Sequence, residues 1–284
     1  MQFGLIVDRS VLAAAQRLAL VQKFGTITTN IDLAACAARG VAVATLRRTG
    51  NIAVAEQAFA LLMALAKRIT PLAGMVEATA LEAAGWRVRA RSPYIGYSNF
   101  AGITGLKALF GATLGMVGLG EVGREVARRA KAFEMETIYF QRRRLPDSDE
   151  RSLKATYATL DEVIARSDFV VVQLPLNGST RGMIGRDQLG RMKLGAVLVN
   201  VARAELIDQD ALIEALESGR LGGFGLDVGY SEPTDPADPL LNYRAGNVIL
   251  MPHTAIGSRD HALNDIEQLC TNLWRAIVAS KRDA

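Results

Sequence analysis

The stretch that most constrains this chain runs from Ala112 to Phe133 and reads ATLGMVGLGEVGREVARRAKAF. Its first part, Thr113 to Val117, is a short and mostly apolar run, typical of a strand that is covered on both faces. Its last part repeats apolar residues at helical spacing, with charged residues between them. The stretch therefore predicts a strand, a tight turn and an amphipathic helix.

Three glycines occupy this turn with the spacing GxGxxG, namely Gly118, Gly120 and Gly123. Such a turn is an anion site, because unpaired backbone N–H groups and the positive end of the helix dipole point at one spot. The pyrophosphate of a dinucleotide is the expected ligand. Gly118 would allow the turn, Gly120 the close approach of phosphate, and Gly123 the packing of the helix on the strand. The alternative is a glycine-rich turn without a ligand, which the flanking strand and helix disfavour.

Composition narrows the class of protein. The chain has 284 residues, of which 50% are hydrophobic and 22% charged, which is ordinary for a folded globular protein with room for two domains. The positive charges behind the net charge of +4 are scattered except at Arg142–Arg144, so a broad nucleic-acid-binding face is not expected.

Cys36 and Cys270 lack CxxC spacing and are predicted to be small buried side chains in a reducing compartment. The apolar run Phe59–Ala66 is short for a membrane span and no signal peptide is evident, so we expect a cytoplasmic protein without membrane contact.

The order of predicted elements indicates a parallel α/β fold. From Gly111 onward, strands and helices alternate, and the strands are expected to end at Val117, Phe140, Leu174, Val201, Val228 and Met251. The first fifty residues alternate in the same way. We therefore predict a doubly wound parallel sheet with a second, smaller unit. A ligand of such a sheet binds beyond the carboxyl ends of its strands.

Two helices mark the limits of these units. Gly50 and Asn51 break the pattern before a long apolar helix over Ile52–Ile69, and we place the domain boundary at this break. The last helix is predicted over Arg259–Ser280. Its apolar side is expected to carry Ala262, Ile266, Leu269, Leu273 and Ile277. The chain between Gly85 and Gly111, which includes Trp86 and Ser92-Pro93-Tyr94, is predicted to be an ordered loop or a pair of short helices.

The residues after the second strand of the large sheet bear on the choice of dinucleotide. An acid that would accept the ribose hydroxyls of NAD is absent there, and the position holds Gln141. Arg142, Arg143 and Arg144 follow, and a guanidinium beside the ribose suits a 2′-phosphate. The sequence therefore favours NADP, with NAD as the other possibility. A merely solvated arginine turn is the alternative.

Three further functional groups follow later strands: Arg203, Glu232 and His253. Any one of them would usually belong to a salt bridge or a capped turn. Together, at the strand ends of one nucleotide-binding sheet, they predict an active site. His261, the other histidine, lies on the last helix and is expected at the surface.

These motifs resemble those of the D-isomer-specific 2-hydroxyacid dehydrogenases over nearly the whole chain. The matching segments are NIDLAACAARGVAV, AVAEQAFALLMALAKR, GMVGLGEVGREVARRAKAF, LPLNGSTRGMIG, MKLGAVLVNVARAELIDQDALIEAL, LDVGYSEP and MPHTA. The resemblance implies a Rossmann nucleotide domain over residues 51–259. It also implies a flavodoxin-like substrate domain over residues 1–50, completed by the helix in 260–284. The opening strand and helix pair of that domain is expected to be missing.

The resemblance also implies residue roles. The family's catalytic arginine, glutamate and histidine correspond to Arg203, Glu232 and His253, and Asp227 corresponds to the aspartate near the nicotinamide amide. The implied cofactor site consists of Gly118, Gly120, Glu121, Val122, Gly123, Gln141, Arg142, Arg143, Leu174, Pro175, Thr180, Val201, Ala202 and Asp227. The implied substrate site consists of Gly25, Thr26, Ile27, Arg203 and His253. No metal is expected.

Two departures from the family pattern affect substrate binding. Gly25-Thr26-Ile27 stands where the family has GxG, so isoleucine replaces a glycine whose backbone approaches the substrate carboxylate. The arginine motif reads ARA rather than ARG, which is a mild change.

The residue types suit the reduction of a 2-keto acid. Such a reaction needs a hydride, a proton for the carbonyl oxygen and a cation that holds the carboxylate and polarises the carbonyl. Arg203 suits the last role, because its planar fork can grip oxygens in pairs. His253 can exchange a proton near neutral pH, and Glu232 would hydrogen-bond it and fix its tautomer.

We therefore expect an NADP-preferring reductase of glyoxylate or hydroxypyruvate, assembled as a homodimer through the helix Ala53–Ala66. One alternative is a phosphoglycerate-dehydrogenase-like activity with NAD, for which Arg47, Arg48 and Arg91 could bind the substrate phosphate. Another is a non-catalytic NAD(P)H-sensing regulator on the same fold.

Overall fold

A computed structural model describes residues 5–88, 99–243 and 246–280 of the chain. Its strands are β1 Leu20–Gln22, β2 Ala42–Ala44, β3 Thr113–Val117, β4 Glu136–Phe140, β5 Ala155–Tyr157, β6 Phe169–Val172, β7 Ala196–Asn200, β8 Leu221–Leu226 and β9 Val248–Leu250. Its helices are α1 Arg9–Ala14, α2 Leu33–Ala38, α3 Thr49–Ala66, α4 Ile69–Leu72, α5 Ala78–Ala83, α6 Glu121–Ala132, α7 Asp147–Leu153, α8 Leu160–Arg166, α9 Arg186–Arg191, α10 Gln209–Glu217 and α11 Arg259–Ser280. Short 3₁₀ turns cover Ala204–Leu206 and Pro239–Tyr243.

The large sheet has seven parallel strands in the order β5-β4-β3-β6-β7-β8-β9. The strands are continuous apolar runs because both faces are covered: β6 and β7 are buried at every position. Helices α3 and α6 contribute to the core on one face, and α8, α9 and α10 to the core on the other. The predicted doubly wound parallel fold is confirmed.

A second sheet, formed by β1 and β2 in parallel, lies outside the large one. Its strands pack with α1 and α2 around a small core that contains Leu12 and Cys36. The run Asp8-Arg9-Ser10 predicts the start of a helix that ends near Leu18, and Asp8 does begin α1, since its carboxylate accepts the backbone amides of Ser10 and Val11. Helix α1 ends at Ala14, four residues before the predicted end at Leu18.

The long helix α3 begins earlier than predicted. Gly50 and Asn51 lie within its first turn instead of breaking the pattern before it. The first amides of a helix have no partner in the helix itself, and here the Asp265 carboxylate of α11 accepts the Thr49 amide at 2.7 Å. The helix ends at Ala66, because Arg68 takes a left-handed conformation and a separate turn, α4, carries the proline.

By length and composition, α3 is long and apolar enough to cross a membrane. The sequence prediction considered only the shorter run Phe59–Ala66 and therefore did not find this. The side chains of Ala55, Ala58, Leu62 and Leu65 are, however, fully buried within the chain, against the sheet and α6. Helix α3 is thus the core helix of this fold. The same burial removes these side chains from contact with a second copy, so a homodimer through α3 would have to use its exposed positions, such as Glu56 and Ala60, and this route stays a prediction.

The last helix has the predicted bounds but not the predicted orientation. Ile266 and Leu273 are more than half exposed, whereas Asp265 is buried and ion-paired with Arg48. This ion pair, together with the bond to Thr49, turns the polar residue inward where α11 meets α3 and β1. Two other expectations on this helix also fail. Cys270 is exposed, and His261 is half-buried with its Nδ1 atom enclosed.

The prediction missed several short elements: α5, α7, β5 and α9. The prediction for the segment 85–111 lies partly outside the described residues, which exclude 89–98, and residues 99–111 contain neither helix nor strand.

Candidate active site

The glycine turn lies where the sheet order reverses. Strand β3 has β4 on one side and β6 on the other, and chain connections run in opposite directions from it. At this switch point the loops that leave neighbouring strands separate and open a crevice. Gly118 follows β3 directly and its amide donates to the Phe140 carbonyl at 2.8 Å. The predicted anion site therefore borders the crevice.

The three glycines of the turn differ in what a side chain would meet at their positions. Gly118 has φ of +103°, and a Cβ there would collide with the Gln173 carbonyl. A Cβ on Gly123 would lie 2.6 Å from the Gly118 carbonyl oxygen, so helix α6 could not pack as closely. A Cβ on Gly120 would meet no atom within 4 Å. Gly120 thus borders open space that a larger side chain would fill.

Two further observations suit a dinucleotide at this place. Gly120 precedes α6 without a side-chain cap, so the first amides of the helix are free to meet an anion. The backbone carbonyl of Gln173 lies against Gly118, and the side-chain oxygen of Gln173 is buried and lacks a hydrogen-bond partner within the described part of the chain. A buried polar atom of this kind usually bonds to water or to a ligand. The residues present therefore fit the phosphates of a nicotinamide dinucleotide.

The turn after β4 links the glycine turn to the arginines. Gln141 accepts the Leu119 amide through Oε1 at 3.3 Å and donates from Nε2 to the Arg143 carbonyl at 2.5 Å. Arg142 and Arg143 are exposed and make no ion pair among the described residues. Arg144 differs, because its guanidinium grips Glu150 at 2.7 and 2.9 Å. Hydrogen bonding to Glu150 raises the pKa of Arg144.

The remaining predicted cofactor residues lie on the neighbouring strand ends. Leu174 and Pro175 follow β6, and the Thr180 hydroxyl donates to the Pro175 carbonyl at 2.8 Å. Val201 and Ala202 follow β7 and are buried. Val122 is half-buried in the first turn of α6.

The structure brings His253 and Glu232 together. His253 Nδ1 lies 2.9 Å from Glu232 Oε1, and both side chains are about half exposed, at 42% and 46%. The glutamate thus occupies one ring nitrogen and leaves Nε2 for proton exchange. His253 has φ of +53°, which is uncommon for a residue with a side chain. Its amide donates to the Asp227 carbonyl at 2.8 Å, which holds this turn against β8.

Asp227 is buried below this turn, with only 1% of its surface exposed. Its carboxylate accepts the backbone amides of Thr254 at 3.2 Å and Ala255 at 3.3 Å, and the Gln57 side chain lies 3.4 Å away. The sequence prediction placed Asp227 beside the nicotinamide. In the structure its carboxylate contacts the turn that carries His253 and the Gln57 side chain.

Arg203 is exposed and contacts neither Glu232 nor His253 in the described hydrogen bonds and ion pairs. Its Nη1 donates to the Ala202 carbonyl at 2.6 Å. The turn beneath it is fixed by Asn200, a fully buried residue whose side chain accepts the Ala202 amide and donates to the Arg203 carbonyl. The sequence prediction missed Asn200, although a polar residue at the end of an apolar strand was a usable signal. It also missed Gln57, which lies within the matching segment AVAEQAFALLMALAKR, and Gln173, which directly follows an apolar strand.

The predicted substrate loop has an unexpected partner. The amides of Thr26 and Ile27 donate to the carboxylate of Glu121, the first residue of α6. Glu121 was assigned to the cofactor, but its side chain points to this loop.

The arginines proposed for a phosphate substrate already have partners. Arg47 forms a two-pronged ion pair with Glu125 at 2.7 Å, and Arg48 pairs with Asp265. Burial alone would raise the pKa of Glu125, but the hydrogen bond from Arg47 and the charges nearby outweigh it and lower that pKa. Arg91 lies outside the described residues. Among those that are described, no group of three or more His, Cys, Asp or Glu could hold a metal ion.

Comparison with known proteins gives consistent results. The sequence model of the D-isomer specific 2-hydroxyacid dehydrogenase NAD binding domain matches residues 59–255. A glyoxylate reductase of Korarchaeum cryptofilum is 38% identical over 270 residues, which cover 94% of this chain and 75% of that enzyme. A D-3-phosphoglycerate dehydrogenase of Archaeoglobus fulgidus is 34% identical, over 91% of this chain but 45% of that enzyme. A crystal structure of a glyoxylate reductase from Paecilomyes thermophila is 35% identical and superposes with a TM-score of 0.63 over 96% of this chain and 76% of that one.

Proposed function

Because the chain belongs to the D-isomer-specific 2-hydroxyacid dehydrogenase family, an oxidoreductase family that uses a nicotinamide cofactor and acts on CH–OH donors, we propose that it reduces glyoxylate or hydroxypyruvate. The observation that carries this proposal is the contact of 2.9 Å between His253 and Glu232 at the carboxyl edge of the sheet. A histidine held by a carboxylate in this way can deliver a proton.

In this proposal His253 protonates the carbonyl oxygen of the 2-keto acid from Nε2. Glu232 keeps the proton on Nδ1 and stabilises the charged ring. Arg203 gives up its bond to the Ala202 carbonyl and holds the substrate carboxylate, for which its exposed fork is suited. The bound cofactor supplies the hydride.

We also propose a preference for NADP. Arg142 and Arg143 are the free cations of the turn after β4 in the described part of the chain, and Gln141 brings no negative charge that would repel a 2′-phosphate. One charge-assisted contact of about 1.5 to 3 kcal/mol would give roughly a tenfold to hundredfold preference.

The two alternatives have less support. A phosphoglycerate-type substrate would require Arg47 or Arg48 to leave the carboxylates of Glu125 and Asp265. A non-catalytic sensor would have no need for the His253–Glu232 pair.

A turnover screen tests the function directly. Purified protein would be assayed with glyoxylate, hydroxypyruvate, pyruvate and 3-phosphohydroxypyruvate, each with NADH and NADPH. We expect turnover of the small 2-keto acids, with a kcat that His253→Gln lowers by about 10² to 10⁴ and that the matched control His261→Gln retains. Absence of turnover with all four substrates, while cofactor still binds, would favour the sensor. A preference for 3-phosphohydroxypyruvate would favour the phosphoglycerate-type alternative.

Cofactor choice is tested by calorimetric titration of NADH and NADPH at fixed ionic strength. The double variant Gln141→Asp, Arg142→Ser should reverse the preference for NADPH. The control Arg166→Ser should not change it, because this arginine is 53% exposed and pairs with Glu136 at the start of β4, away from the carboxyl ends of the strands. If the parent protein binds NADH and NADPH with equal affinity, Arg142 and Arg143 are solvated side chains that do not contact the 2′-phosphate.

We further propose that residues 1–50 with 260–284 form the substrate domain and residues 51–259 the cofactor domain. The separate β1–β2 sheet, against which α11 packs, supports this division. The protein is proposed to be a cytoplasmic homodimer that uses a surface other than the buried face of α3. Analytical ultracentrifugation would give its mass.

A further inference from the structure

The loop after β1 encloses a carboxylate that comes from the nucleotide turn. Glu121 Oε1 accepts the backbone amides of Thr26 and Ile27, both at 2.6 Å, and Oε2 accepts the Thr26 hydroxyl at 2.8 Å. Within the described residues, Glu121 has no cationic partner. Three neutral donors, all from one loop, therefore hold its negative charge.

The loop is shaped for this carboxylate. Gly25 is buried, has φ of +152°, and a Cβ there would lie 2.6 Å from Glu121 Oε1. The Gly25 carbonyl accepts the Leu46 amide at 3.0 Å, which anchors the loop beside the end of β2. Successive backbone amides that converge on one point form a recess for an anion. We refer to residues 25–27 as the amide recess.

A 2-keto acid, the substrate class under the proposed function on which this inference rests, carries a carboxylate of the same shape and charge as the Glu121 side chain. The two cannot occupy the amide recess together, since Glu121 uses both amides and the hydroxyl. Glu121 also has an advantage, because it is part of the same chain and its effective concentration at the recess is high.

We propose that Glu121 is an internal competitor of the substrate. Its carboxylate fills the amide recess, and an incoming carboxylate has to displace it before the recess can hold the substrate. The contact thus lowers substrate affinity, and it is an autoinhibitory element located at the cofactor turn.

The proposal is tested by removing the carboxylate. Binding of oxamate, an unreactive analogue of a 2-keto acid, would be measured by calorimetry with the cofactor present, together with the KM for glyoxylate. Glu121→Ala should bind oxamate roughly tenfold tighter or more, the factor that corresponds to about 1.4 kcal/mol, and should lower the KM by a similar factor. Glu121→Gln keeps the side-chain length, and we expect a smaller gain in the same direction. Glu136→Ala, which removes a glutamate 60% exposed at the start of β4, should change neither value.

The outcomes separate this inference from the proposed function. If no variant reduces a 2-keto acid but Glu121→Ala gains oxamate affinity, the competitor is supported and the proposed function is wrong. If turnover is normal and oxamate affinity is unchanged or weaker in both Glu121 variants, the competitor is excluded, and the contact merely positions the loop.

Discussion

The role of Asp227 can be decided with the substitution Asp227→Asn. The residue is buried, and its carboxylate accepts two amides from the turn that carries His253. Asparagine has the same size but offers one oxygen, and it turns an amide group toward the second N–H. The substitution therefore removes one hydrogen bond of the turn without creating a cavity. The bond from the His253 amide to the Asp227 carbonyl remains.

The expected size of the effect follows from these contacts. Hydrogen bonds to a charged group contribute about 1.5 to 3 kcal/mol, and the lengths of 3.2 and 3.3 Å to Thr254 and Ala255 place these two at the lower end. A loss of about 1.5 kcal/mol corresponds to roughly a tenfold fall in kcat if it acts on the turn in the transition state. Displacement of the imidazole could extend this to about a hundredfold.

Two measurements on the same variant separate the alternatives. If Asp227 positions the turn, kcat should fall while the Kd for the cofactor, measured by calorimetry, stays unchanged. If Asp227 binds the nicotinamide instead, the Kd should rise. A variant with the parent's kcat and a weakened cofactor would refute the positioning role. Gln57→Ala, which removes a contact of 3.4 Å to the same carboxylate, should show the same pattern more weakly.

Three other changes give distinct outcomes. His253→Ala should lower kcat by about 10² to 10⁴, with cofactor affinity retained. A turnover rate within twofold of the parent's in stopped-flow assays would exclude His253 as the general acid. Arg203→Lys should lower kcat/KM by about tenfold to hundredfold, because an ammonium cannot make the two-pronged contact with the substrate carboxylate. A kcat/KM near that of the parent would exclude Arg203 as the residue that binds this carboxylate. Glu125→Gln should lower the free energy of unfolding by about 1 to 3 kcal/mol at pH 7, since it removes a buried carboxylate charge that pairs with the partly exposed Arg47, Arg128 and Arg129. The lowered pKa of Glu125 in the folded state means that this contribution is present above the unfolded pKa of about 4.3 and is lost as the pH falls below it. Urea unfolding at pH 7 and pH 3 should therefore show a smaller gap between parent and variant at pH 3.

Local signals in the sequence predicted much of the fold. Helix α8, which the sequence predicts over Leu160–Arg166, has these bounds, and Thr159 and Glu162 form a reciprocal cap at its start. Helix α2, which the sequence predicts over Leu33–Ala38, likewise has these bounds, and the Asp32 carboxylate accepts the Ala35 amide at its start. Helix α7 was missed although Pro146 and several acids precede and fill its first turn, which is a recognised start signal.

The errors arise where a distant residue decides the local structure. Gly50 sits within a helix because Asp265, far along the chain, accepts the first amide of that helix. The same bond holds Asp265 of α11 inward, while Ile266 and Leu273 of the predicted apolar side are more than half exposed. At the site, the residue types at the strand ends could be read from the sequence. The contact between Glu121 and the amide recess could not, since it joins residues 95 positions apart.

The bond between Thr49 and Asp265 also has a consequence for the order of folding. It closes a loop of 216 residues, so it belongs to the least local contacts of the chain. During synthesis α3 leaves the ribosome long before α11 exists, and during that interval its first turn, with Gly50 inside it, has no acceptor from α11. The apolar C-terminal half of the core helix can pack once α6 and the strands β7 to β9 have been made, but its first turn lacks this acceptor until α11 follows. Helix α11, the last helix to be made, therefore completes the hydrogen bonding of the first turn of α3.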